Sequence, residues 1–419
     1  MADSSSPIFI QRTAILNGIN SVGKLLRVVG FDPFTLDADS IIRNAKKKAN
    51  FSADIPPQVV DGLHRAVRAI REEGNPNPFG ALAVKTLFER TLYGRLKVEQ
   101  TIQEDPSIRD QKIEQPVFII GMPRTGTTIL HAIMHEDRHN RSPLAWECLL
   151  PYPVPKVDTY NDNDQLNSVR KEFGQLFKLV PDFKMKHHME ADSPQECIGI
   201  TALDFNTFQT TAQFYMPSYM DWFFDGSDHL ATMRWHKRFL QYLQSGGVKG
   251  ERWLLKTPVH MIRLKEIFEV YPDARIIMTH RDPIKVVPSA ASLISSVRSL
   301  YSDSEDPVRS GNEQAEIWSK YFDRFLKDRK ALDREDQFID IRFEEFVADQ
   351  IGCIRSIYKH FGFQADENAV TAMKRYLDSN PKDKHGAHKY TLQDFGLTEE
   401  GIRNKFANYY NFLENDLQK

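Results

Sequence analysis

Pro116-Val-Phe-Ile-Ile-Gly-Met-Pro-Arg-Thr-Gly-Thr-Thr-Ile-Leu130 passes from a short β-branched and aromatic run, through two glycines, into the start of an amphipathic helix. The pattern predicts a buried strand over 117–120, a tight loop, and a helix opening at Thr127 and Thr128. Gly121 and Gly126 allow backbone conformations closed to other residues. The first N–H groups of a helix have no intrahelical partner, and with the helix dipole they favour an anion. Arg124 adds a fixed positive charge with a planar fork of donors. The segment reads as a cradle for a phosphate-like group. Glycines serving packing alone would give the same strand-to-helix turn, so a second feature is needed beside it.

The nucleoside-triphosphate loop, Gly-x-x-x-x-Gly-Lys-[Ser/Thr], uses its lysine to reach the β and γ phosphates. Here Thr127 follows Gly126, which disfavours ordinary ATP or GTP hydrolysis. The second feature is Ala274-Arg-Ile-Ile-Met-Thr-His-Arg-Asp-Pro-Ile-Lys-Val-Val-Pro-Ser-Ala-Ala-Ser-Leu293, another strand running into a helix. Residues 274–279 form the strand, Asp282 is a good N-cap, and Pro283 suits the first helical position. Arg281 falls at the strand's carboxyl end, where ligands gather in open α/β sheets, and Ser289 lies two helical turns on. One cationic fork and one hydroxyl suit a second phosphate, although Arg281 paired with Asp282 would be a plainer role. Pro288 inside the helix is expected to kink it.

Together the two segments resemble the sulfotransferases that use 3′-phosphoadenosine 5′-phosphosulfate (PAPS) as donor. The 5′-phosphosulfate loop of that superfamily reads approximately Pro-[Lys/Arg]-[Ser/Thr]-Gly-Thr-Thr, and its 3′-phosphate site is an Arg followed eight positions later by a Ser. Pro123 to Thr128 and the Arg281 and Ser289 pair match both, in order, each after a strand. The resemblance extends from about residue 85 to the C terminus and is closest to the substrate-diverse branch with arginine in the loop. It implies a P-loop-like α/β fold, a parallel β-sheet flanked by helices. A helical N-terminal region over 1–110 would pack on a sulfotransferase domain over 111–419. Arg124, Thr125, Gly126, Thr127 and Thr128 would hold the 5′-phosphosulfate, and Arg281 with Ser289 the 3′-phosphate. By the same resemblance Phe343, in Gln337 to Phe346, would lie near the adenine. Lys389, in His385-Gly-Ala-His-Lys-Tyr390, would add charge from a basic loop that closes over the nucleotide. Arg124 replaces the lysine of the cytosolic steroid and phenol enzymes; it stays protonated, so it neutralises oxygens but cannot serve as an acid.

Sulfuryl transfer resembles phosphoryl transfer in relying on in-line positioning and charge stabilisation, and the acceptor hydroxyl needs a base. By resemblance to protein-tyrosine and heparan-type enzymes, Glu147 in Ser142-Pro-Leu-Ala-Trp-Glu147 is the first candidate; a solvated acid at a helix start is the alternative. His260, in Trp253-Leu-Leu-Lys-Thr-Pro-Val-His260, is the second, since histidine titrates near working pH. Lys256 looks like the lysine that steadies the transferring group. The third is the cluster His187-His-Met-Glu-Ala-Asp-Ser-Pro-Gln-Glu196, whose acids are secondary bases. Its spacing does not fit a metal site. Asp192 or Ser193 there is expected to cap a helix beginning at Pro194.

The 419 residues suffice for a large core, and 41% hydrophobic with 27% charged residues is ordinary globular usage. A net charge of −2 argues against a nucleic-acid or general polyanion binder. The start, Met-Ala-Asp-Ser-Ser-Ser-Pro, lacks the charge of a signal peptide, and no run approaches the roughly 18 apolar residues of a membrane span. Three scattered cysteines argue against a disulfide framework and favour the cytoplasm. Helical spacing marks 37–51, 56–73 and 79–103, where core packing or homodimerisation are the expected roles. The aromatics from Phe205 to Phe224 are expected either in the core or around an apolar acceptor pocket, and 299–311 as a polar surface loop. The reading is a metal-independent PAPS-dependent sulfotransferase acting on a hydroxyl or amine of a small lipophilic acceptor. A small-molecule kinase, or a non-catalytic nucleotide-binding protein, are the alternatives.

Overall fold

Short apolar runs separated by turn signals become the strands of one sheet in the computed structural model, which describes residues 8–181, 189–364, 366–380 and 390–415. The strands are β1 (Val117–Gly121), β2 (Asn140–Arg141), β3 (Arg252–Lys256), β4 (Arg275–His280) and β5 (Phe338–Arg342). Their order is β2-β3-β1-β4-β5, and every pairing is parallel. A parallel sheet is covered on both faces, which is why β1 is apolar throughout rather than alternating and the middle of β3, Trp253 to Leu255, is too. Phe118 and Ile120 enter one core while Val117 and Ile119 enter the other.

After β1 the chain turns to the β3 and β2 side, and after β4 it turns the opposite way, to β5. The carboxyl ends of β1 and β4 therefore flank the point where the strand order reverses, and an open α/β sheet leaves a crevice there. Gly121 lies opposite Thr279 in this register.

Among the described residues four α-helices precede the sheet: α1 (Ala14–Val28), α2 (Ala38–Ala49), α3 (Pro57–Ala69) and α4 (Pro78–Glu104). Asp37 caps α2 by accepting from the Ser40 N–H at 2.7 Å, and Asn77 caps α4 through Gly80 at 2.8 Å. Ile41, Leu63, Leu92 and Leu96 join Phe118 and Ile120 in one continuous core.

Two expectations change. The loop expected over 299–311 is shorter: one helix runs Pro283–Tyr301, with Pro288 inside it, the next spans Pro307–Leu332, and only 302–306 connect them, with Asp303, Ser304 and Asp306 exposed. Arg298 donates to Ser310 Oγ and to both carboxylate oxygens of Glu313, while Ser310 donates to the buried Glu305. No helix begins at Pro194. Its backbone bridges to Leu144, and the carbonyls of Ala191 and Ser193 accept from Trp146 and Ala145, so helix starts only at Ile198. Of the aromatic segment, Phe205, Phe208, Phe214, Tyr219 and Phe223 are core. A groove of about 1070 Å³ beside Tyr215 and Phe224 contains none of the cradle residues.

Candidate active site

The loop after β1 is held by contacts that only its own sequence allows. Gly121 has φ 142°, and a Cβ there would fall 2.7 Å from the Thr279 carbonyl oxygen. Thr125 Oγ1 donates to the Met122 carbonyl at 2.6 Å and lies 2.6 Å from Thr279 Oγ1, fastening the loop to β4. Gly126, at φ 91°, precedes α5 (Thr127–His135), whose free N–H groups open on the crevice end of the sheet. Arg124 has φ 67°, a left-handed conformation that costs an L-residue roughly 1–2 kcal/mol.

Arg124 Nε donates to Ser289 Oγ at 3.0 Å, and Arg281 Nη1 donates to the Arg124 carbonyl at 2.8 Å. The Arg281 guanidinium lies 4.0 Å from the centre of the Phe343 ring, which itself packs against Gly126. The loop after β1, Arg281 and Ser289 after β4, and Phe343 after β5 thus meet at adjacent strand ends. Among the described residues neither Arg124 nor Arg281 forms a salt bridge with a carboxylate. Burial depresses the Arg281 pKa, Glu344 opposes this, and the Arg124 charge adds to the depression. Two arginines brought together with no carboxylate in salt-bridge reach among the described residues favour an anion between them.

Lys256 ends β3 and is almost fully buried. Its Nζ donates to Thr128 Oγ1 at 3.2 Å and to Glu196 Oε1 at 2.5 Å. Cys197 N–H donates to the Lys256 carbonyl, which draws Glu196 alongside the strand end. Lys256 therefore links the start of α5 to an acid that local sequence marked only as secondary.

The two leading base candidates are both fully buried. Glu147, in α6 (Ala145–Leu149), has no solvent exposure. Its Oε1 accepts from Arg141 Nη2 at 2.5 Å, and its Oε2 from Arg141 Nη1 at 3.0 Å and the Leu144 N–H at 2.8 Å. Three donors and complete burial make it a structural cap rather than a carboxylate open to an acceptor. His260 lies in the 3₁₀ turn Pro258–Arg263, edge-on to Phe118 with ring centres 5.2 Å apart. Burial, then His236 and Arg263, hold its pKa well below the ordinary value. Cys197, His236 and His260 bring their ligand atoms within 4.8 Å of one another, but Phe118 and Tyr271 wall the group and the Arg263 charge opposes a further cation. Asp192 pairs with Arg170 at 2.8 Å. His187, His188 and Lys389 lie outside the described residues.

Support for Arg281 comes from elements that carried no motif. Tyr409 Oη is 3.1 Å from the Arg281 nitrogen, and Tyr410 donates to Asp282 at 2.6 Å. Behind them His280 Nε2 lies 2.8 Å from Asp340, which Arg329 holds through both oxygens.

A family model described as the sulfotransferase family matches residues 116–367. The chain is 25% identical over 322 residues to the omega-hydroxy-beta-dihydromenaquinone-9 sulfotransferase Stf3 of Mycobacterium bovis, covering 75% of this chain and 77% of that protein. Its fold matches sulfotransferase STF1 of Mycobacterium tuberculosis H37Rv with a TM-score of 0.80, at 26% identity over 89% of this chain and 99% of that one. For sulfotransferase STF9 of Mycobacterium avium the TM-score is 0.82, at 29% identity over 90% and 96% of the two chains.

Proposed function

The chain belongs to the sulfotransferase family, and from that premise we propose that it moves a sulfuryl group from PAPS to a hydroxyl of a small lipophilic acceptor, leaving 3′-phosphoadenosine 5′-phosphate (PAP). The observation that carries the donor assignment is the meeting of Arg124, Ser289 and Arg281 in the β1–β4 crevice. The amides of Thr125 to Thr128 suit the 5′-phosphosulfate, Arg281 and Ser289 the 3′-phosphate, and Phe343 the adenine. An amine is the other acceptor group this chemistry allows. The name of the Stf3 relative specifies a hydroxylated menaquinone, which supports a lipophilic acceptor.

We assign the base to Glu196, not to Glu147 or His260. As the acceptor oxygen bonds to sulfur, the sulfur–oxygen bond to the donor phosphate breaks and the acceptor proton passes to Glu196. Lys256, between Glu196 and Thr128, orients the carboxylate and offsets charge on the transferring group. Arg124, always protonated, stabilises the departing phosphate without giving up a proton. None of these roles requires a metal. Among the described residues no helix is long and apolar enough to cross a membrane, and the three cysteines are free, which suits a reducing cytoplasm.

Calorimetric titration with PAP, with AMP, and with ATP plus Mg²⁺ tests the donor. PAP should bind without metal, and AMP, lacking the 3′-phosphate, far more weakly. Arg281→Ala should weaken PAP by about 1.5–3 kcal/mol through a lost charge-assisted contact. Unchanged PAP affinity in that variant rejects the 3′-phosphate assignment. Preference for ATP with Mg²⁺ would make the protein a kinase.

A further inference from the structure

Where β4 ends, consecutive residues take opposite directions: Arg281 reaches the crevice, and His280 turns into the interior, where it is 1% exposed. Its ring packs against Phe322, Phe412 and Tyr409, with centres 6.4, 5.7 and 5.9 Å away. A polar ring among aromatics is costly unless its nitrogens find partners. Among the described residues His135, His229, His236 and His260 each leave at least one ring nitrogen without a hydrogen bond, whereas both nitrogens of His280 are engaged. That distinction falls on the histidine adjoining Arg281.

The engagement has a direction. Arg329 spans Asp340 with one donor to each oxygen, Nη1 to Oδ1 and Nη2 to Oδ2, both at 2.9 Å, and is itself held by Glu335. Burial raises the Asp340 pKa, but the hydrogen bonds from His280 and Arg329 bring it to about 2. Asp340 is therefore a carboxylate that can only accept, so His280 Nε2, 2.8 Å away, carries the hydrogen. This orients the ring and turns Nδ1 to Tyr409 Oη at 3.3 Å. Tyr409 Oη in turn meets both backbone groups of Arg281, the N–H at 3.1 Å and the carbonyl at 3.2 Å. The line from Arg329 through Asp340, His280 and Tyr409 thus ends on the backbone that carries the Arg281 fork. The fork itself makes one hydrogen bond among the described residues, to the Arg124 carbonyl. Its direction depends on where its backbone leaves β4.

We propose that His280 is a positioning residue for the 3′-phosphate: braced by Asp340, it holds Tyr409 against Arg281 and so sets where the Arg281 fork points before the donor arrives. It acts through Tyr409 and from behind the strand end. The proposal rests on the assignment of the 3′-phosphate to Arg281 made above. Its consequence is selectivity, because a nucleotide with a 3′-phosphate gains from a fork already aimed and one without it gains nothing.

The test is calorimetric titration of the full chain with PAP and with AMP, on wild type and on two variants that cut the line at different joints. His280→Gln sets an amide as many bonds from the backbone as Nε2, keeping Asp340 and losing Tyr409; His280→Asn sets one as far out as Nδ1, keeping Tyr409 and losing Asp340. Each should raise the PAP dissociation constant about five- to tenfold, the worth of one hydrogen bond, and leave that of AMP unchanged. In an Arg281→Ala background neither should weaken PAP further, because the fork they aim is gone. Melting temperatures identify the folded variants, and either one alone decides. Unchanged PAP affinity in a folded variant, equal losses for PAP and AMP, or a full additional loss in the Arg281→Ala background overturns the proposal. A wild-type chain that binds PAP no better than AMP rejects the 3′-phosphate reading itself. A wild-type preference for PAP that Arg281→Ala abolishes and both His280 variants retain rejects this proposal alone.

Discussion

Two glutamates near the cradle are held in opposite ways. Glu147 gives both oxygens to Arg141 and the Leu144 N–H and is closed to solvent, whereas the Glu196 side chain is 32% exposed and answers to Lys256. A general base needs a free lone pair within reach of the acceptor, so the two substitutions should separate. Glu196→Gln should cut turnover by about 10²–10⁴-fold, with PAP affinity and melting temperature close to wild type. Glu147→Ala would leave the Arg141 guanidinium buried without its partner, costing about 3–5 kcal/mol of stability in a denaturant titration. If Glu147→Ala keeps wild-type stability and loses turnover while Glu196→Gln remains active, the roles are reversed.

The element that fixes Arg281 comes from the far end of the chain. In the helix Ala407–Asn415, Tyr409 Oη accepts from the Arg281 N–H and donates to the Arg281 carbonyl, and Tyr410 holds Asp282, the cap of the following helix. Tyr409→Phe should leave that N–H unpaired, costing about 1–3 kcal/mol of stability. It should also raise the PAP dissociation constant while leaving the acceptor KM unchanged; equal effects on both substrates would mean that the helix supports the whole site rather than the β4 end. This dependence also marks where the sequence stops being readable. Strand, loop glycine and N-cap around 117–128 and 275–289 are signalled by immediate neighbours, so β1, β4 and their anion-directed ends could be read directly. Glu196 meeting Lys256, 60 residues away, and Tyr409 meeting Arg281, 128 away, follow from sheet order and helix docking, which no local pattern encodes. Pairing is equally hidden from local pattern: Arg141 holds the acid at the α6 start, and Arg298 gathers Ser310 and Glu313 around its guanidinium.

At the scale of the molecule, five histidines are folded into places where a charge is unfavourable. Burial lowers the pKa of His131 and His260 well below the ordinary value, that of His135 to about 4, that of His236 to about 3 and that of His229 to about 2. The unfolded chain takes up protons at these positions near pH 6.5, but the folded chain remains neutral there. Stability must then fall as pH drops below about 6.5, by about 1.4 kcal/mol per pH unit for each histidine and so by roughly 7 for the five together. Asp340 acts in a lower window. Burial raises its pKa, but hydrogen bonds from His280 and Arg329 more than offset this and bring it to about 2, so its contribution is lost only as pH falls below about 4. Denaturant titrations at pH 7.5, 6.5, 5.5 and 5.0 should show a plateau followed by a steep decline that begins with the histidines. His260→Gln removes one of the five titrating groups and should reduce the slope below pH 6 by about a fifth, even if it lowers stability at neutral pH. A wild-type stability that stays level from pH 7.5 to 5.0 would show that these imidazoles take up protons in the fold, contradicting the closed core around Phe118 and Tyr271.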